Sequence, residues 1–167
     1  MEYKKITVVD EYDTVIGYET FLDAIAKKCI RRGSCVYIVN TEGKHLIQKR
    51  SKHISKPLLL DKAVGGHVDE GDSYLFTAQK EAAEELGLHD IELVEISPSY
   101  KTKEFFEAVY KSIIPTGTEI HFDPHEVDSV YWMTTEEIDK KVAEAPEEFT
   151  QNFIELWTNL RDKIIAS

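Results

Sequence analysis

Three glutamates are the residues of this 167-residue chain whose type and spacing best suit metal binding or catalysis. Glu81, Glu84 and Glu85 are three and four positions apart, so an α-helix would place them within an arc of roughly 100°. Like charges at this spacing repel by about 0.2–0.5 kcal/mol per pair, and the last turns of a helix disfavour anions. A divalent cation would offset both costs, because Mg²⁺ takes oxygen ligands such as carboxylates and substrate phosphates. The alternative is a solvated acidic helix face in an acidic protein.

The sequence predicts a helix over Tyr74–Leu86 that would position these acids. Asp72 and Ser73 are good N-cap residues, and Gly87 is a good helix stop. Small and apolar residues at helical spacing predict one buried stripe, made of Leu75, Ala78, Ala82 and Leu86. Before the helix, the glycines at 65, 66 and 71 predict a loop in which the backbone approaches a ligand or offers a carbonyl to a metal.

Taken together, these glycines and acids resemble the Nudix box. The family pattern is a glycine, five residues, a glutamate, seven residues, then arginine, glutamate, an apolar residue, any residue, two glutamates, any residue, glycine and an apolar residue. This chain has every spacing, as Gly66-x5-Asp72-x7-Lys80-Glu81-Ala82-x-Glu84-Glu85-x-Gly87-Leu88. Asp72 replaces the first glutamate, and Lys80 replaces the arginine that orients the catalytic glutamates in the family. Lysine keeps the positive charge but lacks the planar fork that can bind two acids.

The resemblance implies an α/β fold, a Nudix-like α/β/α sandwich with a mixed sheet, in which the box forms a loop–helix–loop. It implies a metal-dependent hydrolase of a pyrophosphate bond in a nucleoside diphosphate derivative or a related small metabolite. Mg²⁺, or Mn²⁺ in its place, would bind Glu81, Glu84, Glu85 and the carbonyl of Gly65. The residues expected to be catalytic are Glu84 as the general base, Glu85 and Lys80.

A basic stretch from 44 to 56 is a candidate for binding substrate phosphates beside the box. Arg50 is its best candidate because a guanidinium binds phosphate bidentately. Lys49 and Gly66 complete the predicted substrate-binding set. The alternative is a solvated strand edge protected by lysines.

Several further acids are weaker candidates for the site. Glu104, Glu107 and Glu126 could each reach the metal cluster as a distal acid or base, a role whose position varies within the family. Asp72 is a candidate site residue only because it occupies the position of the first glutamate in the box.

A second resemblance concerns the isopentenyl-diphosphate isomerases and their hydrolase relatives, and it depends on the segments 9–17 and 48–51. Isomerases use a cysteine at the end of the strand entering the box and a metal-binding histidine two residues later. Gly65 occupies the cysteine position, whereas His67 matches the histidine, although a loop histidine is more often simply solvent-exposed. An isomerase-like protein and a non-catalytic nucleotide-binding Nudix module are therefore the alternative hypotheses.

The length predicts one domain over 1–167, with a hairpin extension at 1–33 and a helical extension at 147–167. The net charge of −11 argues against binding to nucleic-acid polymers or anionic membranes, whereas metal ions could still recruit a small diphosphate. The sequence shows no signal-peptide pattern and no long apolar run, so we expect a cytoplasmic protein. The hairpin and the C-terminal helix are candidate surfaces for a homodimer.

Periodicity and turn residues predict strands near 6–9, 15–18, 35–40, 45–50, 91–96, 105–114 and 127–133. Helices are predicted over 21–30, 74–86, 134–143 and 149–165. Cys29 would then end a helix and Cys35 would open a strand, both as reduced thiols. Strands in the middle of the chain and helices after the box and at the end independently favour a mixed sheet covered by helices.

Overall fold

The computed structural model describes residues 3–166. Its strands are β1 (Lys5–Val9), β2 (Val15–Thr20), β3 (Ile30–Asn40), β4 (His45–Arg50), β5 (Leu60–Lys62), β6 (Val64–His67), β7 (Val94–Lys101), β8 (Phe105–Ile114) and β9 (Val127–Met133). Its helices are α1 (Phe21–Ala26), α2 (Tyr74–Leu86), α3 (Thr135–Glu144) and α4 (Gln151–Ile165), with a 3₁₀ turn at Pro146–Glu148. Among the helices of residues 3–166, none has the length and hydropathy needed to cross a bilayer.

The strands form one mixed sheet built around β3. This strand runs parallel to β8, with the pairing extending from Arg31 opposite Phe105 to Asn40 opposite Ile114. It also pairs antiparallel with β1 at one end and with β4 at the other, and with β6 in between. Farther out, β4 pairs with β5 and β9. Because β3 and β8 run parallel, the sheet is mixed, as the sequence predicted.

Alternate residues of β3 face two different hydrophobic cores, as the twofold side-chain repeat of a strand requires. Val36 and Ile38 pack with α2, whereas Cys35 and Tyr37 pack with α4. The helical side chains in these cores are Ala78, Ala82 and Leu86 from α2, and Phe153, Leu156, Trp157, Leu160 and Ile164 from α4. Helices therefore cover both faces of the sheet, which explains why the strand is continuously apolar. The predicted α/β/α sandwich is confirmed.

The ends of α2 follow from local sequence. The Ser73 side chain accepts a hydrogen bond from the Phe76 backbone N–H, and Gly87 ends the helix in a left-handed conformation with φ of 66°. The predicted buried stripe is wrong at Leu75, which is 45% exposed. Leu75 is instead on the solvent side of the helix, because Thr77 and Glu85 occupy the buried side together with Ala78, Ala82 and Leu86.

The predicted helix over 21–30 is too long. α1 ends at Ala26, and Lys28 adopts a positive φ of 56° that stops the helix. Cys29 therefore lies between α1 and β3, and the residues from Ile30 onwards belong to the central strand. The physical reason is long-range pairing: β1 and β8 both offer hydrogen-bond partners to Arg31, which local helix propensity cannot report. The predicted boundary at 33 thus falls inside β3, while the division of the chain into a domain and its extensions stays a prediction.

The later elements also shift at their ends. The strand predicted at 91–96 lies at Val94–Lys101, where β8 provides its partner. The helix predicted from 149 begins at Gln151, because Thr150 serves as its N-cap and accepts a hydrogen bond from the Phe153 N–H. The capping box at Thr134 and Glu137 is confirmed, with both of its hydrogen bonds present.

Asp13 ties the β1–β2 turn to the rest of the molecule. Its carboxylate accepts hydrogen bonds from Arg32 Nε at 2.7 Å, Tyr74 Oη at 2.9 Å and Ser99 Oγ at 2.9 Å. These partners belong to β3, α2 and β7. One partly buried carboxylate therefore connects the N-terminal hairpin with the central strand and with the first residue of the helix that carries the three glutamates.

We expect Asp13→Ala to lower the free energy of unfolding by about 2–4 kcal/mol, measured by urea denaturation. The substitution leaves the Arg32 guanidinium and two hydroxyl groups without this acceptor. Asp13→Asn should cost roughly half as much, because asparagine tolerates the positive φ of 64° and still accepts a hydrogen bond. Asp128→Ala, at an exposed position on β9, is the control and should stay within about 0.5 kcal/mol of the wild type. An equally small effect at Asp13 would contradict the assignment.

Candidate active site

A cavity of about 580 Å³ brings together most of the residues singled out by sequence. Its walls include the box residues Gly65, Gly66, Glu81, Glu84 and Glu85. They also include four candidates from other segments, namely Arg50, His67, Glu107 and Glu126. Within residues 3–166, the cavity wall does not include Lys49, Asp72, Lys80 or Glu104. Segments far apart in sequence thus converge on one polar cavity that holds all three glutamates.

Glu85 is the most buried of the three glutamates, with only 6% of its surface exposed. Its carboxylate accepts hydrogen bonds from Gln48 Nε2 at 3.1 Å and from the Gly65 backbone N–H at 3.3 Å. Burial, followed by the charge of Glu81, raises the pKa of Glu85 to about 8. Two hydrogen bonds therefore do not compensate for the loss of water around this carboxylate.

Glu81 and Glu84 complete the acidic side of the cavity. Burial, followed by the charge of Glu84, raises the pKa of Glu81 to about 7. Glu84 is exposed at the cavity wall. The three side chains thus span a range from buried to exposed, and their mutual repulsion is greatest when no cation is present.

Gly65 and Gly66 lie in a strand, so the prediction of a glycine-rich loop is wrong at these two positions. Gly65 pairs with Cys35 and Gly66 pairs with Ser34, and both partners belong to β3, which is distant in sequence. Gly66 is required here for close approach, because a Cβ at this position would lie 2.5 Å from Cδ of Glu81. The glutamate side chain therefore fills the space that a larger residue would occupy.

The donor atoms fit a hard divalent cation by their chemistry, since three carboxylates and a strand carbonyl are oxygen ligands. Among the described residues, however, no three His, Cys, Asp or Glu side chains are close enough together to hold a metal ion in this conformation. Glu85 is directed towards Gln48 and Gly65, while Glu81 lies against Gly66. Metal binding therefore requires these carboxylates to turn towards a common point.

Lys80 contacts aspartates rather than the catalytic glutamates. Its Nζ atom lies 2.6 Å from Asp69 Oδ2 and 2.7 Å from Asp72 Oδ2, and these carboxylates raise its pKa against the effect of burial. The two positions that depart from the Nudix pattern, Asp72 and Lys80, thus pair with each other. In this conformation Lys80 holds the loop before α2, and a catalytic role for Lys80 stays a prediction.

The basic stretch divides between the cavity and the solvent. Gln48 and Arg50 line the cavity, whereas Lys49 between them does not, because successive strand residues point to opposite faces. The Arg50 guanidinium donates to the Ser55 carbonyl at 2.9 Å and to Asp61 Oδ2 at 3.4 Å. Arg50 is therefore held at the cavity wall by neighbouring acceptors, whereas Lys49 lies outside that wall and its substrate binding stays a prediction.

His67 is not the exposed loop residue that the sequence suggested. It ends β6, and its ring packs between Phe21 at 5.2 Å and Phe105 at 5.5 Å. Burial, followed by the charge of Arg31, lowers the pKa of His67 to about 4, so the ring is neutral at pH 7. The histidine therefore belongs to an aromatic part of the cavity wall.

Sequence reasoning missed a buried charge network beside the glutamates. Lys62 Nζ lies 3.3 Å from Asp61 Oδ1 and 3.6 Å from Glu107 Oε1, and it donates to Asn152 Oδ1. Asn152 Nδ2 in turn donates to Glu107 Oε2 at 2.7 Å. The charged pair Asp61–Lys62 within an apolar segment was a signal that could have been used. Asn152 offered none, because α4 reaches the site only through the tertiary fold.

Comparison with known proteins agrees with this geometry. The NUDIX domain model matches residues 30–153. An uncharacterized Nudix hydrolase from Yersinia pestis is 30% identical over 137 residues, which cover 80% of this chain and 74% of that protein. An isopentenyl-diphosphate delta-isomerase from Serratia proteamaculans is 26% identical over 168 residues, covering 93% and 90% of the two chains.

A solved structure shows the same architecture. The crystal structure of DR0079 from Deinococcus radiodurans superposes with a TM-score of 0.82 and 25% identity. The match covers 93% of this chain and 98% of that one. The domain match and the Yersinia relative each cover well over two thirds of this sequence, and they include the whole box. The chain therefore belongs to the Nudix family, and it is a hydrolase of pyrophosphate bonds.

Proposed function

We propose that this protein is a Mg²⁺-dependent hydrolase that cleaves the pyrophosphate bond of a nucleoside diphosphate derivative. The observation that carries the proposal is the convergence of Glu81, Glu84 and Glu85 with Gly65 on one cavity. The same cavity is also lined by Arg50 and Lys56, which are suited to phosphate oxygens. Acids for a cation and bases for phosphates thus occupy a single site.

The three glutamates and the Gly65 carbonyl would hold the cation. When bound, it supplies charge neutralisation for the diphosphate and Lewis acidity at phosphorus. In the present conformation Gln48 and the Gly65 N–H hold the Glu85 carboxylate, and Gly66 provides the space for Glu81, so both carboxylates would turn from these positions to reach the cation. Arg50, fixed by Ser55 and Asp61, is placed to bind a phosphate oxygen of the substrate.

Glu84 is the residue that we assign as general base. It is the exposed member of the triad and lies at the cavity wall, whereas Glu85 is already engaged by two donors. A water molecule would form the new bond to phosphorus and give its proton to Glu84, while the bridging P–O bond breaks and its electron pair leaves with the second phosphate group.

The isomerase alternative is weakened by the environment of Cys35. This thiol lies on β3 opposite Gly65, the position where isomerases carry their cysteine. Cys35 is fully buried, and burial raises the pKa of its thiol well above the usual value. It also packs towards α4, in the core on the other face of the sheet from α2. A protonated, inaccessible thiol cannot replace the missing cysteine.

We expect Glu84→Gln and Glu85→Gln each to lower kcat/KM by about 10²–10⁴-fold. The products of hydrolysis would be separated and quantified by chromatography, with and without Mg²⁺ or Mn²⁺. The substrates would be nucleoside di- and triphosphates, nucleotide sugars, dinucleotides and isopentenyl diphosphate. Glu136→Gln, at an exposed position on α3, is the matched control and should retain wild-type turnover. Normal turnover by Glu84→Gln would rule out this residue as the base.

The same assay addresses the third hypothesis. If the wild-type protein bound nucleotides but hydrolysed none of the compounds, the protein would be a nucleotide-binding Nudix module. Asp72→Glu and Lys80→Arg would then be the first variants to test for a gain of hydrolysis.

The two glycines of β6 offer a second test of the site. In Gly66→Ala the new methyl group would overlap Glu81, with Cδ at 2.5 Å and Cγ at 2.7 Å. In Gly65→Ala the nearest atom would be Lys62 Cε at 3.5 Å, an ordinary contact. We expect Gly66→Ala to lose at least about tenfold in kcat/KM because Glu81 is displaced, while Gly65→Ala keeps most of its activity. Equal activities of the two variants would contradict the role of Gly66.

The buried Glu85 also predicts a pH dependence of stability in the absence of metal. Its folded pKa of about 8 lies above the ordinary value of an unfolded glutamate. The folded state therefore holds a proton that the unfolded state releases, and this contribution to stability is lost as the pH rises towards and past 8.

In EDTA, Glu85→Gln should therefore be more stable than the wild type at about pH 9, by on the order of 2 kcal/mol, and near it at about pH 5. Mg²⁺ should stabilise the wild type more at high pH than at low pH, because it binds the ionised carboxylates. Thermal unfolding across this range would measure both effects. A wild-type protein whose metal-free stability rose with pH would show that Glu85 is not the source of the dependence.

A further inference from the structure

Part of the cavity wall is aromatic and takes no role in the hydrolytic step. It consists of Phe21, His67 and Phe105, which we call the aromatic wall. The three side chains come from α1, β6 and β8, and the histidine ring lies between the two phenylalanines. Three distant segments thus place aromatic rings beside the cavity that holds the glutamates.

The phenylalanines are supported differently. Phe21 is the first residue of α1, directly after the Thr20 cap, and the residue is 41% exposed. Phe105 is backed by the guanidinium of Arg31, whose carbon Cζ lies 4.4 Å from the ring centroid. Arg31 is itself buried, so this support is rigid. One wall ring is therefore open to the cavity, and the other is braced from behind.

One polar atom of this wall has no partner among the described residues. His67 Nε2 is buried without a hydrogen bond, and His67 lines the cavity. Buried polar atoms without partners are costly, and each one calls for an explanation. A ring that carries nitrogen and oxygen atoms on its edge can provide such partners, whereas a hydrocarbon chain cannot.

We propose that Phe21 and Phe105 stack the heteroaromatic base of the substrate while its diphosphate lies against Glu81, Glu84 and Glu85. This inference depends on the proposed function, because it identifies what is attached to the diphosphate. Base–aromatic stacking tolerates any base, since each base offers a flat π-face. The aromatic wall thus selects nucleotide substrates as a class over diphosphates that lack a base.

Phe21→Leu tests the proposal because it keeps an apolar side chain at an exposed position and removes only the ring. We expect KM for nucleoside diphosphates to rise about tenfold with kcat within about twofold, since one stacked base is worth roughly that factor. Phe21→Trp should keep the wild-type KM. Turnover of isopentenyl diphosphate, which has no base, should not change in either variant.

Leu22→Ala is the matched control, because Leu22 is the next residue of α1, is 76% exposed and does not line the cavity among the described residues. A wild-type KM for nucleotides in Phe21→Leu would overturn the proposal. An equal rise in KM for isopentenyl diphosphate would also overturn it, because the wall would then serve as a general apolar surface.

A binding measurement separates this inference from the proposed function. Calorimetric titration of the full-length chain with adenosine or uridine monophosphate in EDTA requires neither metal nor turnover. If the wild type hydrolysed nothing, about tenfold weaker nucleotide binding by Phe21→Leu would still support base stacking. Equal affinities of the two proteins, or no binding by the wild type, would overturn it.

Discussion

The burial of the Glu85 carboxylate is the constraint on which the site depends. Glu85 lies on the buried side of α2, between the small residues that pack on the sheet, and reaches the backbone of β6 and the amide of Gln48. The same side of the helix packs on the sheet through Ala78, Ala82 and Leu86. Burial of the Glu85 carboxylate costs stability, and under the proposed function a bound cation would offset that cost.

In the charge network beside the glutamates, the buried charges have partners of opposite sign. There Lys62 is buried between two carboxylates and an amide, so each charged group has a partner. Glu85, by contrast, accepts two hydrogen bonds but has the like charge of Glu81 nearby. Paired buried charges hold the shape of the site, whereas under the proposed function the like-charged glutamates would bind the cation.

The similarity to an isomerase shows which residues distinguish a hydrolase from an isomerase on a similar fold. The chain shares 26% identity with an isopentenyl-diphosphate isomerase over most of both lengths, yet it has glycine where the isomerases carry a cysteine. The nearest thiol on the neighbouring strand, Cys35, is buried in the core beneath α4. The complete glutamate set and the burial of Cys35 both favour hydrolysis of the diphosphate over rearrangement of the group attached to it.

Local sequence determined the helix that carries the three glutamates, its caps, the acid spacing and the apolar face of α4, because each depends on residues within one or two turns. It also determined the family, since the box is contiguous. Only the tertiary structure decided the features that require distant partners. These include the full length of β3, the strand conformation of Gly65 and Gly66, and the burial of His67 between Phe21 and Phe105. The contact between Asn152 and Glu107 likewise exists only because α4 packs on the face of the sheet. Periodicity reports which side of an element is buried, but the partner that buries it is chosen by pairing across the whole chain.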